Sequence, residues 1–186
     1  GMALGSWAAS RLSRRWRNLL RGYAIVEALI GVAALVFHQA FVAATDVSYE
    51  SILPALGSDT AAATFKWLLA ALMILPQSIA LGMTFPLMSA GLLRRHPERP
   101  GEALALLYFT NSLGAAIGVL ASGFVLIDAL GLPGTIRVAG VINLALAAVV
   151  WAIAPGRDPE PARAAAATLA RRVETRSGGD APWRLM

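Results

Sequence analysis

One carboxylate interrupts an otherwise apolar run, Glu27 in YAIVEALIGVAALVFHQAFVAA. An ionisable group inside a membrane-crossing segment costs about 3 kcal/mol and characteristically faces a bundle interior or water. So placed, Glu27 has two roles open to it. It can take up a proton or small cation, or it can pair with Arg17 or Arg21 or hydrogen-bond a neighbouring helix. Thr84 and Asn111 sit in two later apolar runs, each about 12 to 14 Å from the same end by helix rise. They can share a polar layer about a turn beyond Glu27, either lining a cavity or gluing helices at about 0.6–2 kcal/mol per bond. Asn143, midway along the last run, has the same two roles, and His38 and Gln39 belong to an outer interface.

Small residues and prolines supply a second set of signals. Gly114 and Gly118 in NSLGAAIGVLASG form a GxxxG, with Gly123 beyond on a similar face. Glycines four apart let helix backbones approach closely, which is how membrane helices pack. Pro76 and Pro86 in LPQSIALGMTFPLM free backbone carbonyls, which either bend a helix or open it into a site. Other chemistry is excluded. There is no cysteine, so thiolate zinc, thiol catalysis and disulfides are out. His38 and His96 stand too far apart for a histidine metal cluster. No Walker loop, HExxH, GxSxG or GxGxxG occurs, and the SGGD of Ser177–Asp180 follows no strand. Neither a metal nor a cofactor is expected.

These residues are carried by a chain of 186 residues that is 57% hydrophobic and 15% charged, with mean hydropathy +0.62. Soluble domains are nearer half apolar and a quarter charged, so the balance points to lipid. A spanning helix needs about 20 mostly apolar residues. Four segments qualify, at about residues 23–44, 65–93, 103–127 and 135–154. The second would be about 43 Å long and must tilt, bend or protrude. The expected fold is an all-α integral membrane protein of four transmembrane helices.

Charge supplies the orientation. Arg11, Arg14, Arg15, Arg17 and Arg21 precede the first span, whereas Asp46, Glu50 and Asp59 follow it. Arg94, Arg95 and Arg99 lie between the second and third spans, and Asp128 between the third and fourth. Arg157, Arg163, Arg171, Arg172, Arg176 and Arg184 follow the last. This alternation predicts both ends cytoplasmic. The net charge of +5 and pI near 10.7 are thereby topological, and nucleic acid is not an expected partner. Residues 1–22 read as the end of a preceding membrane helix and a basic loop, 23–154 as the four-helix domain, and 155–186 as a basic cytoplasmic tail or linker.

The stretches GMALGSWAASRLSRR, YAIVEALIGVAAL, ILPQSIALGMTFPLMSAGLLRR and LLYFTNSLGAAIGVLASGFVLIDALGLPGT resemble, in order, the membrane region of the bacterial fused major-facilitator/spermidine-synthase-like proteins. The resemblance covers about residues 1–150. Its most specific pieces are Thr84–Pro86, the Tyr108, Asn111, Gly114 and Ala115 run, and Gly131 with its turn. It implies that the chain holds only the end of that region's second helix. It also implies a link to polyamines and to an aminopropyltransferase-like cytoplasmic domain, whose glycine-rich, aspartate-containing nucleotide loop has no counterpart among these residues. No enzyme activity is therefore expected. The opening also resembles the facilitator loop after the second helix, but departs from it in lacking an aspartate near Ser10.

Two functions follow as expectations. One is a transporter-like, multi-pass inner-membrane domain handling a polyamine or other small cation through Glu27, Thr84 and Asn111. The other is a membrane anchor or scaffold for a cytoplasmic aminopropyltransferase-like domain or partner subunit. Either way the partners are the bilayer and further helices, from a longer chain or an oligomer.

Overall fold

The computed structural model describes residues 1–13, 16 and 18–154, and every regular element among them is helical. The expected tail, Arg14, Arg15 and Arg17 lie outside the described residues. Helix α1 spans Met2–Leu12. Helix α2 spans Leu19–Val47 and passes through a π-helical turn, Ser48–Ile52, into the short α3, Leu53–Ala55. Helix α4 spans Asp59–Arg95 and α5 spans Pro100–Ala121. A second π-helical turn, Ser122–Leu126, leads into α6, Ile127–Ile153.

Local chemistry sets these boundaries. The Asn18 side chain accepts from the Arg21 amide at 3.1 Å and the Ser58 hydroxyl from the Ala61 amide at 3.2 Å, each capping a helix start. Gly57, at φ 59°, makes the turn before Ser58. Pro100 opens α5 at a position where its missing N–H costs nothing. Both Pro76 and Pro86 sit inside α4, which remains one helix from Asp59 to Arg95.

Three helical segments are long and apolar enough to cross a membrane: Leu19–Ala55, Asp59–Arg95 and Pro100–Ile153. The third is 54 residues long and contains both expected spans, 103–127 and 135–154. It is interrupted at Gly131, whose φ of 66° and ψ of 178° are non-helical, two residues before Pro133.

Helix α2 is the hub. Ten of its residues are buried, against none in α5. It runs antiparallel to α6, with Arg21 beside Trp151 and Gly31 against Gly140. It is also antiparallel to α4, where Leu20 meets Gly91 and Ile30 meets Gln77. Helix α1 is parallel to α4, with Gly5 on Gly82 and Ser13 near Arg94. The end of α1, the start of α2, the end of α4, the start of α5 and the end of α6 thus share one end of the bundle. Arg11, Arg21, Arg94, Arg95 and Arg99 gather there, whereas Asp46, Glu50, Asp59 and Asp128 lie toward the other end.

Candidate functional site

The buried face of α2 repeats at helical spacing through Tyr23, Glu27, Ile30, Gly31 and Ala34. That period puts Glu27 on the side that α4 and α6 cover, and only 7% of it is exposed. Tyr23, one turn earlier and equally buried, lies beside it on the same face of α2. The surrounding core is apolar, combining Ala24, Val26 and Ile30 of α2 with Leu87 of α4 and Val150 of α6. Arg21 does not pair with the carboxylate. Its guanidinium carbon stands 5.1 Å from the centroid of the Trp151 ring, a cation–π arrangement. A carboxylate held in an apolar three-helix junction can exchange a proton or receive a cation, since either neutralises a charge the surroundings solvate poorly.

Thr84 and Asn111 do not join it. Thr84 donates to the Leu81 carbonyl of its own helix at 2.8 Å. Asn111 lies on the exposed α5, in a stretch from residue 111 to residue 120 with no covered position. Helix register still sets all three at a similar depth: Gln77 opposite Ile30 in one hairpin, and Phe85 against Tyr108 (centroids 4.7 Å apart) in the other, align the layer. Among the described residues, no hydrogen bond links Glu27, Thr84 and Asn111.

Gly114 and Gly118 face open space. A Cβ built on either, or on Gly123, meets nothing within 4 Å among the described residues. The close helix approaches occur elsewhere. A Cβ on Gly31 would lie 2.8 Å from the Gly140 carbonyl oxygen, and one on Gly140 would lie 2.9 Å from that of Gly31. Gly5 and Gly82 make the equivalent approach between α1 and α4, where the Ser6 hydroxyl also donates to the Gly82 carbonyl at 3.0 Å.

Several polar ties were not singled out by sequence reasoning. Gln77 Nε2 donates to the Ile30 carbonyl at 3.3 Å, joining α4 to α2 beside Pro76. Its signal was a lone amide in an apolar run. Arg94 donates to the Ser13 carbonyl at 2.7 Å and the Trp16 carbonyl at 3.2 Å, fastening the loop between α1 and α2 to the end of α4. Arg137 stands in the acidic-side half of α6. With the Gln39 amide oriented by its partners, Gln39 accepts from Arg137 Nη2 at 3.2 Å and donates to the Leu35 carbonyl at 3.2 Å. Among the described residues no group of three or more His, Asp or Glu side chains is arranged to hold a metal ion.

Comparison with family models, with curated proteins and with solved structures finds no match to this chain.

Proposed function

We propose that the chain is a multi-pass inner-membrane domain of transporter type that handles a small cation, with Glu27 as the group that binds it or trades a proton for it. The observation that carries this reading is the burial of Glu27 on the inner face of α2, a turn from the buried Tyr23, while Arg21 stands over Trp151. The resemblance to fused major-facilitator/spermidine-synthase-like proteins makes polyamines the first cations to try. Four spans with both ends cytoplasmic fit the same reading. Helix α5 leaves α4 as an antiparallel hairpin, α6 returns antiparallel to α2, and the kink at Gly131, near the start of α6, supplies the turn. The basic end of the bundle then faces the cytoplasm. Because α5 contributes no buried residue, a closed passage would require further helices beside it.

The test is thermal stability of the detergent-solubilised chain with spermidine or putrescine, wild type and Glu27→Gln in parallel. A ligand at 100 times its Kd that binds only the folded state adds about 2.7 kcal/mol. A shift present in wild type and lost in Glu27→Gln supports cation handling. No shift with either polyamine, together with a variant less stable than wild type, makes Glu27 a packing residue.

A second reading, an anchor for a cytoplasmic aminopropyltransferase-like domain or partner, draws on the Arg94 ties that stiffen the basic end. It predicts that truncation after Pro155 releases the partner to the soluble fraction.

A further inference from the structure

The hairpin between α4 and α5 contains a cleft at the basic end of the bundle. One wall is apolar, formed by Leu92, Ala103 and Leu106, and the rim carries His96, Glu98, Arg99 and Glu102. Farther along the same two helices the rings of Phe85 and Tyr108 meet, with centroids 4.7 Å apart. The rim holds one loose ion pair, Arg99 with Glu102, and a histidine facing a carboxylate, His96 with Glu98. His96 Nδ1 is 3.6 Å from Glu98 Oε1, and Arg99 Nη1 is 3.5 Å from Glu102 Oε2, with all four side chains more than half exposed. Pairs this long and this wet are weak, so an incoming ligand of matching charge can exchange with them.

We propose that this cleft binds a phosphatidylethanolamine-type lipid, a phosphodiester bearing a primary ammonium. Its phosphate sits on Arg99 with His96 beside it, its ammonium between Glu98 and Glu102, and its acyl chains on Leu92, Ala103 and Leu106. Three observations converge on that ligand. First, the rim sets the Arg99 guanidinium between the carboxylates of Glu98 and Glu102, with the His96 imidazole at its edge, which suits a headgroup carrying one charge of each sign. An anionic lipid would satisfy the bases and repel the acids. A choline headgroup has the right charges but no N–H to donate to the carboxylates. Second, the cleft lies beside Arg94 and Arg95, where the bundle changes from apolar to basic and headgroups reside. Third, its apolar wall continues along α5 through Leu106, Phe109 and Leu113, which are 61%, 63% and 49% exposed on one helix face. A soluble phosphoethanolamine ester would leave that wall unused. The proposal rests on the membrane reading and is independent of whether anything is transported.

The experiment is native mass spectrometry of the full chain in detergent with phosphatidylethanolamine, phosphatidylcholine, phosphatidylglycerol or water-soluble glycerophosphoethanolamine. Phosphatidylethanolamine should be retained over the other two lipids by about tenfold, the factor one charge-assisted hydrogen bond carries. The double variant Glu98→Gln/Glu102→Gln should erase that preference and retain more phosphatidylglycerol, whereas Arg99→Gln should weaken all three lipids. Unchanged melting temperatures show that these surface variants fold. Equal retention of the three lipids, or a preference that survives the double variant, overturns the proposal. Displacement of the lipid by the soluble ester at equal concentration overturns it too, by assigning the rim to a free phosphate ester.

Discussion

Two glycine sets in this molecule have the same composition and opposite surroundings. Gly31 and Gly140 come from different helices and press backbone on backbone, with carbonyl oxygens where a Cβ would stand. Gly114 and Gly118 lie four apart on one helix, in the arrangement most readily recognised as a packing motif, and a Cβ on either would meet nothing within 4 Å among the described residues. A GxxxG describes a groove that a helix offers. Whether another helix fills it depends on that second helix, which the motif does not encode. The approaches of backbone on backbone join glycines more than seventy positions apart in sequence, at Gly5 with Gly82 and at Gly31 with Gly140.

The comparison breaks most visibly at its tight end. Gly140→Leu or Gly31→Leu must push α2 and α6 apart, because a Cβ at Gly140 meets the Gly31 carbonyl oxygen first and one at Gly31 meets the Leu144 side chain and the Gly140 carbonyl oxygen together. A loss of about 3 kcal/mol or more is expected, at the upper end of overpacking. Unfolding of the purified chain in mixed micelles, followed by helical circular dichroism, measures it. A loss under about 1 kcal/mol at both positions would mean that α6 does not cross α2 at these glycines.

Next in size is Gly131→Ala. With φ at 66°, a Cβ there is strained whatever the space around it, and the expected loss is about 1–3 kcal/mol. The variant also probes the turn between α5 and α6. Cysteine-accessibility labelling at positions 128 and 154 in inverted and right-side-out vesicles should place them on opposite faces in the native chain. If residue 154 labels from the same side as residue 128, the chain does not recross after Gly131.

Smaller again is Gln77→Leu. It removes the donor to the Ile30 carbonyl and leaves apolar packing at similar volume, so about 0.6–2 kcal/mol should go. Folded protein with unchanged stability would show that the Ile30 carbonyl is satisfied within α2 alone.

Hydropathy found the apolar stretches because lipid selects for them, and it found them short. The first helical segment runs Leu19–Ala55 where apolar composition suggested 23–44, and the second Asp59–Arg95 where it suggested 65–93. The excess is polar or capped sequence. Asn18 and Ser58 begin helices several residues before lipid-like composition does, and a hydropathy window discounts such residues. The site was legible in the same partial way. Glu27 stands out in any apolar run, and its buried position follows from the period it shares with Tyr23 and Ile30. The other two members of the expected layer were placed by depth alone. Depth does not say whether another helix covers a position, and α5 is exposed all round from residue 111 to residue 120. Gln77 and Arg137 bond to partners on another helix, at Ile30 and Gln39, and such pairings have no local sequence signature.

The smallest expected effect is the sharpest control on the comparison. Gly118→Leu adds a side chain whose Cβ has nothing within 4 Å among the described residues, so in the purified chain it should change stability by under about 0.5 kcal/mol. Leucine is also the better helix former by about 0.8 kcal/mol, which biases the result toward slight stabilisation. The same substitution therefore separates two situations that look alike by composition. A helix face open to lipid accepts the larger side chain, since lipid rearranges around it at little cost. A face already covered loses as much as Gly140→Leu, because its neighbour's backbone cannot move aside. Measured side by side in the same micelles, a ratio of losses near one would mean that α5 has a helix against it. A ratio of about six or more, from 3 kcal/mol against 0.5 kcal/mol, leaves the α5 groove open and the α2–α6 crossing as the packing glycines of this chain.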